Sequence, residues 1–392
     1  MTNNLYHDEL LLPDGSHTHK LLAQDTHIHT TCSDSDMGIE DTLLAIIKAK
    51  ESVNIRRISF TDHDTFNAYS KQEAISLVAA LNEGFPRHEQ VSLWVGTEMS
   101  LPFLTKAGKV ESIHFVAYFF PKAGESQWDL VTRLSQSPIQ DLFLAYHDRT
   151  NERWCALLSK FIARYDDKLP MLYPRIKEEA LKSGVRLEST GLAQGLESLF
   201  FKRMGESYPQ KPKDSHGRTV CFRQDVVRFV ADLKLAPYEE LRGQVGKGGA
   251  CHIPKSENIH AGLEEGLRVV NDFDSPKLIG IAHPWRYARF LNPFKFIRAL
   301  SQIGYIGGVE VFGYHEHKTR GPGLKPPSFE LLDEKERVPY QSLARRLGLT
   351  MLVGSDFHGT AKHGNCVGAG LPYYSRITQK MRIETRAYAG VR

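Results

Sequence analysis

Histidines and carboxylates recur in this chain where short apolar runs end. His27 and His29 follow a run that starts at Leu21, and His63 follows Ile55–Phe60. Alternate residues of a strand project to the same side, so both rings of a His-x-His pair can face one metal ion. Strands that deliver such residues into loops are how barrel-type sheets build active sites. In chain order the candidates are His27, His29, Asp34, His63, Glu98, His114, His283, Asp356 and His358.

The chemistry of this set points to metal ions. Nine donors are too many for one ion with about four to six ligands, and they suit two or three ions. Imidazoles and carboxylates without a thiolate favour Mn, Fe or Zn over a structural zinc finger. Glu98 is suited to bridge two ions through its two oxygens. We therefore predict a centre of two or three divalent metal ions.

Some of these residues have a second interpretation. Asp34 precedes a helical pattern and also suits a helix cap, and Glu98 also suits a solvated strand end. His114 precedes the apolar run 115–120, so its strand would have to run opposite to the others. A histidine at the edge of the core is the alternative there. The same His-x-His spacing stays open at two further places, His17 with His19 and His315 with His317.

Other residues are expected to support the ligands or the substrate. A carboxylate beside a ligand histidine commonly fixes its tautomer, so Asp62 and Asp64 are predicted to support His63. Asp25 is likewise predicted to support a ligand. A metal cluster of this kind suits phosphoryl hydrolysis, in which paired ions hold an attacking hydroxide and clamp the phosphate oxygens. The site also needs cations for the phosphate, and the candidates are Arg286, Arg223 and Lys247, although each of them taken alone fits a surface charge better than a substrate contact.

The order of the patterns predicts an interrupted α/β fold. Residues 21–120 alternate between strand-like and helical patterns, which predicts a mainly parallel sheet with helices outside it. Residues 121–276 are mostly helical, with candidate helices at 142–165, 173–183 and 224–233, and are predicted to form an inserted subdomain. The alternation resumes in 277–372, where the Pro- and Gly-rich stretch 313–337 is predicted to be a flap near the site. Residues 1–20 form an N-terminal extension and 373–392 a basic tail.

Composition excludes few functions. The chain has 392 residues, 41% of them hydrophobic and 24% charged, and a net charge of +4 that is too weak to indicate nucleic-acid binding. No apolar run approaches the roughly 20 residues that span a bilayer, and the first residues lack the pattern of a signal peptide. The five cysteines are dispersed, which fits reduced thiols, and we predict a cytoplasmic location.

The motifs resemble the polymerase and histidinol phosphatase (PHP) family of metal-dependent phosphoesterases. The resemblance rests on Asp25-Thr-His27-Ile-His29-Thr30 with Asp34, Thr61-Asp62-His63-Asp64, Gly96-Thr97-Glu98, His114, Ile281-Ala282-His283-Pro284 and Gly354-Ser355-Asp356-Phe357-His358. It implies a distorted seven-stranded (β/α) barrel of PHP type, with the helical segment as an insertion, and it favours His114 as a ligand. By this resemblance one ion would be held by His27, His29, Glu98 and Asp356, a second by Glu98, His114 and His283, and a third by the catalytic set Asp34, His63 and His358.

Within that family, three runs are most similar to one branch. They are Thr-Asp-His-Asp-Thr at 61–65, Ala-His-Pro-Trp-Arg-Tyr at 282–287 and Gly-Val-Glu-Val-Phe at 308–312. Enzymes of that branch act on nucleoside 3′,5′-bisphosphates and remove nucleotides from the 5′ end of short RNA. Arginines of their helical insertion help to hold the substrate phosphate, and the resemblance would place Arg223 among them. This chain departs from the branch in its longer insertion and in Trp285, which stands where a small residue is expected.

The resulting prediction is a hydrolase of phosphoric esters. Its substrate would be a nucleotide or the 5′ end of a short oligonucleotide, attacked by a metal-bound hydroxide, and no membrane or protein partner is predicted. One alternative is a phosphomonoesterase of a small metabolite such as histidinol phosphate. Another is a non-catalytic regulatory module, although none of the nine ligands is missing. Aromatic residues that would stack a base, or else belong to the core, are Trp285, Phe312 and Tyr314.

Overall fold

The strands define the architecture. The computed structural model describes residues 9–11, 17–19, 23–35, 37–50, 55–70, 73–187, 192–246, 249–253, 262–312, 314–317, 328–331, 334–356 and 358. Its strands are β1 (Glu9–Leu11), β2 (His17–His19), β3 (Ala23–Ile28), β4 (Ile55–Phe60), β5 (Ser92–Leu104), β6 (Val110–Phe119), β7 (Lys277–Ile281), β8 (Gly308–Phe312), β9 (Tyr314–His317), β10 (Ser328–Leu331) and β11 (Thr350–Val353).

Seven strands form one nearly closed, barrel-like sheet in a mixed α/β fold. Their order is β11-β8-β7-β6-β5-β4-β3, and all neighbours are parallel except that β6 is antiparallel to both β5 and β7. The edge strands β3 and β11 lie side by side, since Thr26 Oγ1 donates to the Val353 carbonyl at 3.2 Å. His114 lies on β6, so the structure confirms that its strand runs opposite to its neighbours, as a ligand at this position requires.

Side chains of the sheet pack in two layers. Along β6, Phe115 and Phe119 belong to the large core between sheet and helices, whereas Val116 and Tyr118 belong to a small separate cluster. The Tyr118 hydroxyl donates to the Thr26 carbonyl of β3 at 2.9 Å, although two strands, β5 and β4, lie between β6 and β3 in the sheet. That contact crosses the interior of the barrel. The small cluster therefore fills the barrel, below the end that carries the candidate ligands.

Helices surround the sheet and form the insertion. Around the barrel lie α1 (Ile39–Lys50), α2 (Asn67–Ser70), α3 (Glu73–Glu83), α11 (Pro293–Gln302) and α12 (Glu334–Leu347). Between β6 and β7, within the predicted 121–276 segment, lie α4 (Gln127–Ser135), α5 (Pro138–Arg164), α6 (Leu169–Lys182), α7 (Leu192–Ser207), α8 (Arg223–Asp232), α9 (Tyr238–Val245) and α10 (Leu263–Asp272).

The insertion has a hydrophobic core of its own. Side chains between Leu157 and Cys251 form a cluster separate from the barrel core. Helix α5 connects the two cores, because its first half, including Ile139 and Phe143, packs on the barrel and its second half packs inside the insertion. Helix α5 therefore joins the insertion to the barrel through packing at both of its ends.

The sequence prediction of some elements needs correction. The strand before Glu98 does not end there: β5 continues to Leu104, because the antiparallel β6 pairs with it along its length. The stretch predicted as a flap is shorter than expected, since α12 already begins at Glu334 and Arg337 is buried within it. The backbones of β9 and β10 pair antiparallel within that stretch.

Several predictions fall outside the described residues. They concern Lys247, the basic tail at 373–392, most of the N-terminal extension and the side chains of Phe312 and Tyr314. None of the described helices is both long and apolar enough to cross a membrane. Among the described residues, no disulfide joins the four cysteines, which are Cys32, Cys155, Cys221 and Cys251.

Candidate metal centre

One end of the barrel collects all nine predicted ligands. The carboxyl ends of parallel strands meet at the same edge of a sheet, so residues that follow β3, β4, β7 and β11 arrive together. Strand β6 runs the other way and therefore contributes a residue from its first half, His114. Glu98 lies inside β5, level with His63. The burial of Glu98, His27 and His29 is complete.

Glu98 is the centre of this cluster. Its Oε2 lies 3.1 Å from His63 Nδ1, 3.2 Å from His29 Nε2 and 3.3 Å from His27 Nε2. Its Oε1 lies 2.7 Å from His114 Nδ1 and 3.1 Å from His283 Nε2. A single buried carboxylate thus faces five imidazoles, as a carboxylate that bridges metal ions would.

The donor atoms fall into three groups, each compact enough for one ion. One group is the predicted set of His27, His29, Glu98 and Asp356; the others are His63, Glu98 and His114, and His29, Asp34, His63 and His358. The second group differs from the predicted set in having His63 where His283 was expected. His283 nevertheless faces the same oxygen of Glu98 as His114 does.

The spacing of these atoms fits metal coordination. Ligand atoms in tetrahedral or octahedral shells of about 2.1 Å radius are separated by roughly 3.0–3.4 Å. Glu98 Oε2 is a buried oxygen that accepts no hydrogen bond in the described structure, despite the three ring nitrogens around it. The Nε2 atoms of His27 and His29 face each other at 3.1 Å and can share at most one proton. A cation between these donors would satisfy all of them.

The electrostatics of the cluster also favour cations. Burial raises the pKa of Glu98, but the rings of His63, His114 and His27 outweigh it and hold the pKa well below its usual value. Asp356 behaves likewise, because Arg286 and His358 oppose the effect of burial on its pKa. Both carboxylates are therefore anionic near neutral pH.

The histidines divide into two classes. Burial lowers the pKa of His63 to about 4 and, with Arg286, that of His283 to about 3, so both rings are neutral. Burial also disfavours the charge of His29, but Asp356 and Glu98 raise its pKa to about 9. Metal binding at His29 would thus replace a proton.

Sequence reasoning missed two residues that contact the ligands. Glu310 Oε1 lies 2.6 Å from His27 Nδ1, and Glu310 Oε2 accepts a hydrogen bond from the backbone amide of His283 at 2.6 Å. The Tyr287 hydroxyl lies 3.2 Å from His283 Nδ1 and accepts from the amide of His114 at 2.8 Å. A signal for Glu310 was present: it is a charged residue in the apolar strand β8, between two valines.

The supporting aspartates have different partners from those expected. Asp62 accepts hydrogen bonds from the Thr30 amide and hydroxyl, both at 2.7 Å, and from the Ser33 hydroxyl at 2.5 Å. It therefore fixes the loop after β3, not the ring of His63. Asp64 accepts from the Ser100 amide at 3.0 Å, and Asp25 accepts from the Ser355 amide at 2.9 Å. At Asp64 the φ angle is 50°, so the backbone leaves the strand conformation there. Asp62 and Asp64 therefore do not point to the same side.

We predict that the Asp62→Ala substitution lowers the free energy of unfolding by about 3 kcal/mol or more. The substitution leaves three donors of Thr30 and Ser33 without their buried acceptor. Chemical denaturation of the chelated protein measures the effect. Asp62→Asn keeps one acceptor oxygen and should cost clearly less. Equal stability of Asp62→Ala and the wild-type protein would contradict this account of the loop.

The predicted phosphate contacts have different positions. Arg286 Nη2 donates to Asp356 Oδ2 at 2.6 Å, so this arginine is at the site but bound to a candidate ligand. Arg223 is exposed at the start of α8. The neighbouring Phe222 ring lies 6.2 Å from the ring of His63, which brings the start of α8 to the cluster. Trp285 is buried against Tyr340 in the core and does not offer a face to a base.

Helix α5 adds basic residues that the sequence did not single out. Tyr146, Arg149 and Arg153 lie on one face of the helix by their spacing. Buried atoms of all three make no hydrogen bond in the described structure. Burial and the charge of Arg223 lower the pKa of Arg153, so the two guanidinium groups are neighbours. The insertion therefore presents Arg149, Arg153 and Arg223, none with a carboxylate partner among the described residues.

His147, also on α5, predicts a pH dependence of stability. It is buried against the backbone of Asp64 and Lys213, and burial lowers its pKa from 6.5 to about 4. Below pH 6.5 the unfolded chain binds a proton that the folded protein does not, so stability falls as the pH drops. Relative to wild type, His147→Gln should gain about 3 kcal/mol between pH 7 and pH 4.

Denaturation of both chelated proteins at each pH measures this gain. Protonation of the metal ligands is common to the two proteins and cancels in their difference. A difference that stays constant with pH would show that His147 is protonated in the folded state as readily as in the unfolded chain.

Comparison with known proteins adds no further constraint. No family model matches this chain, and no curated protein matches it either.

Proposed function

We propose that the protein is a metal-dependent phosphoesterase that hydrolyses a phosphate ester of a nucleotide or of the 5′ end of a short oligonucleotide. The observation that carries the proposal is the arrangement of five imidazoles around the two oxygens of Glu98. The motif resemblance to the PHP family supports the same reading, as does the barrel-like sheet. Divalent Mn, Fe or Zn ions at this centre would supply the positive charge that activates a water and neutralises phosphate oxygens.

The residues of the chain would divide the work between holding the centre and holding the substrate. The buried anions Glu98 and Asp356 give the centre its negative charge, and the neutral rings of His63 and His283 supply nitrogen donors. Asp34 and His358 lie 3.1 Å apart beside the solvent-accessible His63. Asp34, His63 and His358 are therefore our choice for the residues closest to the attacked phosphorus.

A phosphorylated substrate is favoured by the basic residues of the insertion. The charges of Arg153 and Arg223 interact, and Arg223 begins the helix next to Phe222, whose ring meets His63. Guanidinium groups bind phosphate through paired hydrogen bonds, and partly buried ones gain most from an anion. A substrate with a second phosphate group, as in a nucleoside 3′,5′-bisphosphate, would contact both the metal centre and these arginines. A small metabolite with one phosphate remains the second candidate.

The experiment compares three substrates. Purified protein is loaded with Mn²⁺ and incubated with a nucleoside 3′,5′-bisphosphate, a 5′-phosphorylated RNA oligomer and histidinol phosphate, and released phosphate and nucleotides are measured. We expect hydrolysis of the bisphosphate or the oligomer, and loss of it in the double variant His63→Ala/Asp356→Ala. Hydrolysis of histidinol phosphate alone would show that the substrate is a small phosphorylated metabolite and not a nucleotide. Bound metal without hydrolysis of any substrate would contradict the proposal.

Variants of the insertion test the role of the arginines. Arg153→Gln and Arg223→Gln should raise KM for the bisphosphate by about tenfold or more while kcat changes little, because they would remove binding of a phosphate remote from the reaction. Arg203→Gln is the matched control, since Arg203 lies in the same insertion but pairs with Glu179. Unchanged KM in both site variants would remove the arginines from the substrate site.

A further inference from the structure

We infer that Glu310 is a positioning residue that holds ligands of two metal ions at once. The inference rests on the metal centre of the proposed function, but it is independent of which ester is cleaved. Glu310 is not one of the nine candidate ligands, and it belongs to none of the three donor groups. Its side chain lies behind the ligands, in β8, and is buried.

The first contact fixes the ring of His27. Glu310 Oε1 lies 2.6 Å from Nδ1 of that ring. An imidazole that donates its Nδ1 proton to a carboxylate keeps the lone pair of Nε2 for a metal ion and becomes a stronger donor. The Nε2 atom of His27 indeed points at the cluster, 3.3 Å from Glu98 and 3.7 Å from Asp356. Glu310 therefore sets both the tautomer and the direction of this ligand.

The second contact fixes the backbone of His283. Glu310 Oε2 accepts a hydrogen bond from the His283 amide at 2.6 Å. His283 has a φ of 30°, a left-handed conformation that a residue with a side chain rarely adopts. The strong hydrogen bond to a charged acceptor helps to hold that conformation. With the backbone so fixed, the ring reaches Glu98 Oε1 at 3.1 Å, on the other side of the bridging carboxylate from His27.

Only a carboxylate can serve both contacts. Each of its oxygens accepts one hydrogen bond, whereas the amide of glutamine has one accepting oxygen and one donating nitrogen. In Glu310→Gln the nitrogen would face a donor at either His27 or His283. The space beside this contact is also filled: a Cβ added to Gly354 would lie 2.2 Å from Cβ of His27 and 3.0 Å from Glu310 Oε1.

The test measures Mn²⁺ binding to the full chain. Wild-type protein, Glu310→Gln, Glu310→Asp and the control Glu111→Gln are chelated and titrated with Mn²⁺ alone, and bound ions are counted by elemental analysis. Glu111 suits the control because it is a strand glutamate that pairs with Arg289, outside the cluster. We expect Glu310→Gln to weaken Mn²⁺ binding by about 10- to 100-fold. The Mn²⁺ affinity of Glu310→Asp, which keeps the charge but is shorter, should lie between those of wild type and Glu310→Gln.

Two further readouts separate positioning from general structure. The chelated variants should unfold cooperatively with circular dichroism spectra like that of wild type, so that weakened Mn²⁺ binding is not a loss of fold. In a His27→Ala background, Glu310→Gln should cost much less affinity than in wild type, since one of its two ligands is already gone. Full additivity of the two substitutions would overturn the inference, as would Mn²⁺ binding by Glu310→Gln equal to that of Glu111→Gln.

These results are distinguishable from failure of the proposed function. All of them are read from metal binding, so a wild-type protein that binds Mn²⁺ but cleaves no phosphoester would refute the phosphoesterase and leave the role of Glu310 testable. A wild-type protein that binds no Mn²⁺, Fe²⁺ or Zn²⁺ would refute both.

Discussion

Replacing Glu98 with glutamine is expected to reduce bound metal by at least one ion per chain and hydrolysis by at least about a thousandfold. Glu98 belongs to two of the three donor groups and contacts five histidines through its two oxygens. Glutamine has nearly the same shape but offers one neutral oxygen, and its amide nitrogen has no lone pair for a metal ion. The loss therefore comes from coordination and charge. Elemental analysis and initial rates with the nucleoside 3′,5′-bisphosphate measure it.

Two comparisons make the Glu98→Gln result specific. Asp34→Asn affects only the group of His29, Asp34, His63 and His358, so it should lose fewer ions than Glu98→Gln. Glu111→Gln, on the neighbouring strand but away from the cluster, should match wild type in both measurements. If Glu98→Gln retains the metal content and rate of wild type, Glu98 does not bridge ions and the proposed centre is wrong.

Removal of the metal ions is expected to abolish hydrolysis and to destabilise the fold. An ion that binds only the folded protein stabilises it by about 4 kcal/mol when its free concentration is a thousand times Kd. Thermal unfolding with a chelator and with added Mn²⁺ measures this difference, and the midpoint should rise with Mn²⁺ concentration. Restored activity after addition of Mn²⁺ would show that the chelated chain keeps its fold.

The Mn²⁺ dependence has its own control. In the Glu98→Gln variant the unfolding midpoint should respond much less to Mn²⁺, because fewer ions bind. Magnesium at the same concentration separates specific binding from ionic strength, since Mg²⁺ prefers oxygen ligands to imidazole nitrogens. A chelated protein that keeps its stability and its rate of hydrolysis would contradict a metal-dependent mechanism.

Much of the candidate ligand set was predictable from the sequence because its signal is local. A strand imposes a period of two on its side chains, so His27-x-His29 and Asp356-x-His358 each indicate a pair directed at one place. The apolar runs before His63 and His283 also identify strands whose ends meet at one edge of a sheet. The alternation of strands and helices predicted the mainly parallel sheet, and the position of His114 before its apolar run meant that its strand had to be reversed if His114 was to join the other candidates, as the structure has it.

The supporting contacts were less predictable, because they join residues that are distant in sequence. Asp62 lies beside His63 in the chain, yet its carboxylate accepts hydrogen bonds from Thr30 and Ser33, which follow the neighbouring strand β3. Glu310 contacts a histidine 283 residues away in the sequence. The sequence gives Arg153 the pattern of an ordinary charge on a helix, and only the packing of the insertion brings its charge close enough to interact with that of Arg223. Trp285 has an aromatic face suited to stacking, but the fold buries it against Tyr340.

The sequence by itself determined which residue types are available for metal binding and which strands carry them, since both follow from spacing along the chain. Only the tertiary structure decided that Glu98 is the centre of the cluster. That position depends on β5 lying between β4 and the antiparallel β6, so that His63 and His114 approach the same carboxylate from opposite sides. Distances between strands are set by how the sheet closes, and closure is a property of all seven strands together. No local pattern encodes it.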